Sequence, residues 1–566
     1  MKNKNKLKKN SILLVLGLLV IVLVGVLPTM VVKAGFFYPP PPPPPPDPDP
    51  DNDGLTTSEE YDIGTSPYDS DSDNDGFKDG FEVDHNFNPL NKNDPNPAGD
   101  YDGDGLSNLE EYHVHGSDPT NGNDPGNVRE WTVMWYCNGD FVEGGSSPTA
   151  FCADNQYKQI KAFAERTVTR SNDYLDDSFW EHCAITMMWD VPNGRFEQWV
   201  GLQLVQQNFN GKCKQIGISN GWDSRVEIEK DNGDTTDVNM ASGTTLDNFL
   251  TWSQQHYPAR KYLLITTGHG TGQFTIPAFP NQAGGMLPEG NLDNAPVDML
   301  TSSELADALY GHSIDIYTAG SCYMGAYEFI GALTGHVKYY VGSEIRLAGR
   351  MGDLPNHPVI LYDAGSTTGI LELLETSLYY YTLDYAEDIC DAIIDVVEDW
   401  GKTQICSVVD LNWAPNVNNK MTAFCTELIN NFSYYKSYIQ TAISNLNEFP
   451  AGEISSATGK KLETGLSYDH IYDFANFVYS CIAALPDGSE ACDLACDLAA
   501  RLDSAITHTA SCFWQEAWYY GVSLYCPKNA DVWFPNAYDD SISSGDTGMF
   551  SWPEETGWFD VLEQLY

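Results

Sequence analysis

One stretch of the chain decides its fold, Tyr262-Leu263-Leu264-Ile265-Thr266-Thr267-Gly268-His269-Gly270, in which an apolar run ends abruptly at a histidine between two glycines. A second stretch has the same form and ends at a cysteine, Ile314-Asp315-Ile316-Tyr317-Thr318-Ala319-Gly320-Ser321-Cys322. Each apolar run has the length of a buried strand, and glycine beside the polar residue lets the backbone approach a ligand closely. Because the carboxyl ends of parallel strands form the ligand crevice of an open sheet, we expect His269 and Cys322 to meet there.

This pairing of a histidine with a cysteine indicates a cysteine hydrolase. A thiol with its ordinary pKa is only slightly ionised at neutral pH, so Cys322 needs a neighbouring base, and His269 is the candidate. The same imidazole can protonate the amine that leaves when an amide is cleaved. The backbone N–H groups of Gly270 and Cys322 are the expected oxyanion donors, since Cys322 also precedes a predicted helix over 323–333.

Strands and helices alternate through the middle of the chain. Besides the two runs above, strands are predicted at 131–136, 183–189 and 336–343. Helices are predicted at 152–168, 245–256, 302–310 and 323–333. This alternation indicates an α/β fold whose mostly parallel sheet is covered by helices on both faces. Beyond residue 358 the predicted elements are mainly helical, at 365–400, 418–447 and 470–506, followed by a strand-like segment at 521–527.

Size and charge limit what the protein can be. The 566 residues exceed what one hydrophobic core normally supports, so two to four domains are expected. The formal charge is −50, from 80 acidic and 30 basic residues. Such a charge opposes binding to nucleic acids and to anionic lipid surfaces, and it favours cations as partners.

The first 46 residues have the composition of a targeting segment and a spacer. Five lysines, an apolar run over 12–27 and the small-residue sequence Val32-Lys33-Ala34 predict a signal peptide over 1–34, cut after Ala34. The alternative is an uncleaved amino-terminal anchor, which would be the only link to a membrane. Residues 35–46 include eight consecutive prolines and predict a semi-rigid linker.

The cysteine count also favours secretion. All 13 cysteines follow the amino-terminal segment, which is consistent with an oxidising compartment and with disulfide bonds. Because the number is odd, Cys322 is the natural unpaired thiol. The alternative is that several of these cysteines are small buried apolar residues.

Residues 47–128 form an acidic region with too few apolar residues to bury a core by themselves. Three segments in it match the calcium-loop pattern D-x-D-x-D-G-x5-E, which places carboxylates at positions 1, 3 and 5, a glycine at 6 and a bidentate glutamate at 12. Position 9 offers a side-chain oxygen, and position 7 a backbone carbonyl. The predicted calcium ligands are Asp49, Asp51, Asp53, Leu55, Thr57 and Glu60; Asp71, Asp73, Asp75, Phe77, Asp79 and Glu82; and Asp100, Asp102, Asp104, Leu106, Asn108 and Glu111.

The segments between these loops are too short and too broken for paired long helices. The loops therefore resemble thrombospondin type 3 and related extracellular calcium repeats rather than a two-helix calcium sensor. Calcium is the only cofactor that we expect, and no organic cofactor is predicted.

The region from residue 129 resembles the clostripain-like cysteine peptidases, which share the caspase-like fold with caspases, legumains and gingipains. The resemblance implies a catalytic domain over 129–357, a mainly helical carboxyl-terminal α/β portion over 358–566, and a Cys322–His269 dyad that cuts protein or peptide substrates. It is carried by the segments 131–136, 267–270, 314–316, 322–328, 341–344, 407–411 and 472–474.

One departure from the family pattern affects the expected specificity. Relatives have an acidic residue two positions before the cysteine, where it recognises a basic side chain, whereas Gly320 stands there in this chain. Glu344 or Asp353 restores a negative charge to the pocket in one interpretation. In the other, Arg346 and Arg350 select an acidic substrate.

The sequence thus predicts a secreted or cell-surface cysteine endopeptidase with a calcium-binding module. The competing hypothesis is a non-catalytic, calcium-dependent surface adhesin that reuses a peptidase fold. The missing acid before Cys322 favours the adhesin, and the retained histidine and cysteine favour the enzyme.

Overall fold

The computed structural model describes residues 48–103, 107–112, 117–121, 128–140, 148–165, 179–180, 182–200, 203–210, 213–219, 222, 225–229, 238–270, 286–289, 298–344, 369–380, 386–398, 405–447, 471–511, 520–528 and 551–566. The predicted signal peptide or anchor and the proline-rich linker lie outside the described residues. Among the described residues, no helix combines the length and apolar character needed to cross a membrane.

The described residues form fifteen strands, and nine of them make one large sheet. The strands are β1 (Arg129–Asn138), β2 (Cys183–Asp190), β3 (Asn193–Val200), β4 (Gln203–Asn210), β5 (Lys214–Ile218), β6 (Val226–Glu229), β7 (Ala259–Thr267), β8 (Met286–Glu289), β9 (Asp298–Leu300), β10 (Ile314–Gly320), β11 (Val337–Ser343), β12 (Ile405–Asp410), β13 (Ile471–Asp473), β14 (Ile506–Ser511) and β15 (Ser523–Tyr525). The large sheet has the order β14-β12-β11-β10-β7-β1-β2-β5-β6. Its central strands β11, β10, β7, β1 and β2 are parallel. On each side two further strands are added by antiparallel pairing, β12 and β14 beyond β11, and β5 and β6 beyond β2.

The described residues also form fifteen short and medium-length helices. They are α1 (Thr57–Ile63), α2 (Asp79–Asp84), α3 (Asn108–Glu110), α4 (Pro148–Glu165), α5 (Gly243–His256), α6 (Ser302–Leu309), α7 (Tyr327–Ala332), α8 (Ile370–Tyr380), α9 (Ala386–Glu398), α10 (Ala414–Asn430), α11 (Phe432–Ser444), α12 (Phe474–Ala484), α13 (Glu490–Ala505), α14 (Ser551–Thr556) and α15 (Trp558–Leu565).

Two hydrophobic cores cover the two faces of the sheet. Met134 and Tyr136 of β1 lie in the core that includes residues of α5 to α7 and α10 to α15. Val133 and Trp135 lie in the opposite core, with residues of α4, α8 and α9. Alternate residues of one strand enter different cores because successive side chains point to opposite faces. The fold is therefore the predicted three-layer α/β sandwich.

The carboxyl-terminal region differs from its prediction in two ways. The helical stretch predicted at 365–400 is two helices, α8 and α9, and the one predicted at 470–506 begins as the strand β13. More importantly, β12 and β14 come from this region and extend the central sheet. Their antiparallel pairing escapes a search for alternating strands and helices, because it joins segments that are distant in sequence.

The cysteines in the described part of the chain do not form the predicted disulfides. None of these twelve forms a disulfide bond, and ten of them are buried. They behave as the small apolar core residues that the sequence left as the alternative. Cys322 is half-buried and Cys496 is exposed.

The acidic region is ordered by short elements, as its sequence predicts. Thr56 and Glu59 cap α1 reciprocally, and Gly64 ends that helix with a φ of 94°. Phe77 is fully buried and its ring lies 5.6 Å from the ring of Phe81. A few aromatic contacts thus supplement the loops, since the region has no large core of its own.

The last helix is an integral part of the core, which gives a test of the fold. Trp558 is fully buried, its Nε1 atom donates to the carbonyl oxygen of Tyr525 at 3.0 Å, and its ring lies 5.1 Å from the ring of Phe477. We expect Trp558→Ala to lower the free energy of unfolding by about 3–5 kcal/mol, because it leaves a cavity. The exposed Glu563 on the same helix is the control, and Glu563→Ala should change it by less than about 0.5 kcal/mol. Equal effects in a denaturant titration would contradict the fold.

Candidate active site

The parallel pair β7 and β10 brings the predicted histidine and cysteine to one edge of the sheet. The last residues of the two strands, Thr267 and Gly320, are partners in the strand register. His269 and Cys322 each follow two residues later. Since paired strands lie about 4.8 Å apart, this register places both residues at the same edge of the sheet.

Several contacts fix the turn that carries His269. The indole Nε1 of Trp135 donates to the hydroxyl of Thr267 at 3.2 Å, which holds the end of β7. The carbonyl oxygen of His269 accepts from the backbone N–H of Leu287 at 2.9 Å. This bond belongs to an antiparallel bridge between Gly270 and Met286. It does not use the Gly270 N–H, which is one of the predicted oxyanion donors.

Gly270 packs directly against the cysteine turn. A Cβ atom at this position would lie 2.5 Å from the carbonyl oxygen of Cys322 and 2.8 Å from the Cβ of Ser321. Both distances are shorter than real Cβ contacts, so only glycine fits without a shift of the backbone. The two catalytic candidates are therefore on turns that contact each other.

The turn after Cys322 is not the predicted helix. Tyr323 has a φ of 61°, and α7 begins only at Tyr327 and has six residues. A left-handed residue cannot continue a right-handed helix, so the predicted helix over 323–333 is wrong in its first four residues. The expected effect of a helix amino terminus on Cys322 is thus absent from the described structure.

Hydrogen bonds from three neighbouring residues hold this turn in place. Gly325 N–H donates to the carbonyl oxygen of Ser343 at 2.7 Å, and its own carbonyl accepts from Ser523 N–H at 2.8 Å. The hydroxyl of Tyr340 donates to the carbonyl oxygen of Met324 at 2.7 Å. Ser523 lies in the carboxyl-terminal region, so that region helps to position the cysteine.

Exposure separates Cys322 from most other cysteines. Burial raises the pKa of Cys137, Cys390 and Cys526 well above the ordinary value, which keeps those thiols protonated. Cys322 is half-buried, and Nε2 of His269 is a buried atom. Cys322 is thus less covered than the ten buried cysteines of the described residues.

The residues predicted for the specificity pocket have different surroundings. Gly320 is the buried last residue of β10. Glu344 follows β11 and is fully buried, and a Cβ on Gly325 would lie 2.6 Å from its backbone nitrogen. Asp353, like Arg346 and Arg350, lies outside the described residues. Glu344 is thus next to the cysteine turn, but it is covered.

Glu344 has an acidic neighbour that sequence reasoning missed. Burial first, and then the charge of Asp473, raise the pKa of Glu344 well above its usual value. Burial raises the pKa of Asp473 to about 7, although its carboxylate accepts from the backbone N–H groups of Asn476 and Tyr520. The only signal for this pair was the position of Asp473 within a segment that carries the family resemblance.

The three acidic loops share one backbone form. Position 4 of each loop is left-handed, with φ of 57° at Asn52, 61° at Asn74 and 80° at Gly103. In the first two loops the carboxylate at position 1 accepts from the N–H of the glycine at position 6, at 3.2 Å for Asp49 and 3.0 Å for Asp71. The predicted loop geometry is therefore present.

Carboxylates converge inside the first two loops. Asp49, Asp51 and Asp53 form one close group, and Asp71, Asp73 and Asp75 form another. Glu60 and Glu82 are fully buried and none of their oxygen atoms has a hydrogen-bond partner. Burial and neighbouring carboxylates raise the pKa of Glu60 to about 7 and that of Glu82 to about 9. Buried carboxylates of this kind fit a divalent cation, which compensates their charge.

The structure describes most, but not all, of the other predicted calcium ligands. Leu55 and Phe77 are buried at position 7, and Thr57 donates its hydroxyl to the carbonyl oxygen of Pro48 at 2.9 Å. In the third loop, Asn108 and Glu111 are buried, and Asp100 accepts from Gly103 N–H at 2.7 Å. Asp102 is half-buried, whereas Asp104 and Leu106 lie outside the described residues.

Comparison with solved structures finds similar cysteine proteases. An inactive zymogen C11 protease from Parabacteroides distasonis is 16% identical, with 76% of this chain and 98% of that chain covered and a TM-score of 0.47. A secreted C11 cysteine protease from Bacteroides thetaiotaomicron, in complex with an irreversible peptide inhibitor, is 15% identical, with 76% and 99% covered and a TM-score of 0.42. No curated protein matches the chain.

Family models match both parts of the molecule. Residues 71–92 and 100–122 match the bacterial TSP3 repeat, so the second and third acidic loops lie in repeats of that type. Residues 222–564 match the clostripain family. This match spans more than half of the 566 residues and includes both His269 and Cys322. The chain therefore belongs to the clostripain family of cysteine peptidases.

Proposed function

We propose that the protein is a secreted or cell-surface cysteine endopeptidase whose nucleophile is Cys322 and whose base is His269. The observation that carries the proposal is the register of β7 and β10, which pairs Thr267 with Gly320 and sets the two turns in contact at Gly270. Family membership supports a peptide substrate.

The proposed reaction uses a thioester intermediate. His269 accepts the thiol proton while the sulfur of Cys322 attacks the peptide carbonyl carbon. The tetrahedral oxyanion is stabilised by the N–H groups of Gly270 and Cys322, which the fixed turns hold before the substrate binds. His269 then donates its proton to the leaving amine, and a water molecule hydrolyses the thioester.

We propose that the substrate pocket lies at the carboxyl ends of β10 and β11. Gly320 adds no side chain there, and Glu344 is held beside the cysteine turn through Gly325. Asp353 remains a candidate for the pocket charge. Residues 129–357 and 358–566 are proposed to form one peptidase unit, since β12 and β14 extend the sheet that carries the site.

We also propose that the amino-terminal region binds calcium and determines where the protein is located. The acidic loops bind calcium through the carboxylates predicted from their sequence and stiffen the module, a role that the buried Glu60 and Glu82 support. The lysine-rich and apolar first 34 residues direct the chain to secretion or hold it as an anchor.

Three substitutions test the proposed nucleophile and base. Cys322→Ala should abolish cleavage of a mixed peptide library, because it removes the proposed nucleophile, and His269→Ala should lower the rate by about 100-fold or more. Cys496→Ala is the control, since it removes an exposed thiol on α13 and should leave the rate unchanged. Mass spectrometry of the products measures all three rates and also gives the preferred side chain.

Two outcomes would contradict the proposal. Cleavage by purified Cys322→Ala protein would exclude the mechanism. A wild-type protein that is folded and calcium-loaded but cleaves no peptide in the library would favour the non-catalytic adhesin.

The buried acid pair Glu344 and Asp473 should make the stability of the folded protein depend on pH. Asp473 has a pKa of about 7 in the folded protein against 3.8 as its ordinary value, so the folded state binds more protons and stability falls as the pH rises from about 4 to about 7. Burial raises the pKa of Glu344 well above its ordinary value, so the ionisation of Glu344 adds to this decline. Glu344→Gln cannot ionise, and we expect it to flatten the decline. Denaturant titrations at several pH values in saturating calcium measure the slope. The exposed control Glu563→Gln should keep the wild-type slope, and an equally steep slope in Glu344→Gln would contradict the pairing.

Calcium binding by the acidic loops can be measured directly. Calcium should give heat of binding with the full chain in calorimetry and raise its unfolding temperature, because it neutralises carboxylates that are buried only in the folded state. A variant with Asp49→Ala, Asp71→Ala and Asp100→Ala should lose both effects. If wild-type and variant proteins gave the same heat, calcium binding by these loops would be excluded.

A further inference from the structure

The first and second acidic loops are docked on each other through Gly80. Its backbone N–H donates to a carboxylate oxygen of Asp53 at 3.2 Å, and a Cβ atom on Gly80 would overlap the carbonyl oxygen of Asp53. In addition, Lys78 donates from Nζ to the carbonyl oxygen of Asn52 at 2.9 Å. Only glycine permits this approach, which carries the preceding residue, Asp79, onto the first loop.

Three carboxylates from the two loops meet at this junction. Asp53, Glu60 and Asp79 each offer an oxygen atom, all within 4.8 Å of one another, and all three residues are buried. Burying three like charges at this separation is costly unless a cation compensates them. Carboxylate oxygens at this spacing are the ligands that a hard divalent cation prefers.

Glu60 supplies an observation that is independent of the clustering. Its side chain is fully buried, and neither carboxylate oxygen has a hydrogen-bond partner. Buried polar groups in folded proteins are almost always satisfied, so an orphaned carboxylate directed into an acidic cluster points to a missing ligand. A cation fits this position, since the neighbouring side-chain groups in the cluster are carboxylates.

Asp79 lies between the two loops. The close carboxylate group of the second loop is formed by Asp71, Asp73 and Asp75 without Asp79, and Asp79 is grouped with Asp53 and Glu60 of the first loop. Hydrogen bonds still hold the Asp79 carboxylate to its own loop, because it accepts from the N–H and the hydroxyl of Ser72, at 2.9 and 2.7 Å. These bonds orient the carboxylate while its oxygen remains beside Asp53 and Glu60.

We propose that Asp53, Glu60 and Asp79 bind one divalent cation at the junction, so that Asp79 is a ligand of the first loop donated by the second. The two loops then form one binding unit rather than two independent repeats. The sequence is consistent with this role, because Asp79 is the only charged residue among the three at position 9. The others are Thr57 and Asn108. The inference rests on the proposed calcium binding by the loops.

Calcium titrations of the full chain in two variant backgrounds test the assignment. The background Glu82→Gln with Glu111→Gln retains the first loop, and the background Glu60→Gln with Glu111→Gln retains the second. We expect Asp79→Asn to weaken calcium binding about 10- to 100-fold in the first background and to have little effect in the second. The substitution keeps an oxygen that can accept from Ser72, and Asp79→Ala provides a second variant if the asparagine itself binds the ion.

Asp62 provides a matched control, because it is an exposed acidic residue at the end of α1. Asp62→Asn removes the same charge from the surface and should leave calcium binding unchanged in both backgrounds, and far-ultraviolet circular dichroism checks that each variant is folded. A loss caused by Asp79→Asn only in the second background, or equally in both, would overturn the shared site while leaving calcium binding intact. Absence of calcium binding by the wild-type chain would overturn both proposals.

Discussion

The pairing of β7 with β10 is the constraint on which the rest of the molecule depends. Thr267 opposite Gly320 fixes where each strand ends, and the next two residues of each chain segment bring His269 and Cys322 to one crevice. A shift of the register by one residue would move every side chain of a strand to the other face of the sheet. The apolar residues of β7 and β10 that alternate between two cores prevent such a shift.

Glycine makes the contact between the two turns possible, and distant parts of the chain keep it in place. Gly270 lies against the Cys322 carbonyl, and Gly325 lies against the backbone of Glu344, where any Cβ atom would clash. Ser523 and Ser343 then hold the cysteine turn through backbone hydrogen bonds. The carboxyl-terminal region is thus part of the site's scaffold, and its unfolding would disturb the nucleophile.

The sequence predicted the features that local patterns encode. Apolar runs ending at glycine gave the central strands and the two site residues, and the fixed spacing of acidic residues gave loops with the same left-handed fourth position. It did not predict β12 and β14, the pairing of Glu344 with Asp473, or the contact of Asp79 with the first loop. These depend on packing between segments far apart in the chain, which periodicity does not report. The helix predicted at 323–333 was wrong at its start because Tyr323 is left-handed, a conformation that no local pattern marks for tyrosine.

The alkylation rate of Cys322 by iodoacetamide, measured by peptide mapping between about pH 6 and 8, tests the proximity of sulfur and imidazole most directly. A thiol paired with His269 should react faster at the acidic end of this range than the exposed Cys496 of the same molecule, and His269→Ala should remove that advantage. If both thiols react with the same pH profile, and His269→Ala leaves the Cys322 rate unchanged, the two side chains do not form a dyad and the account of the site is wrong.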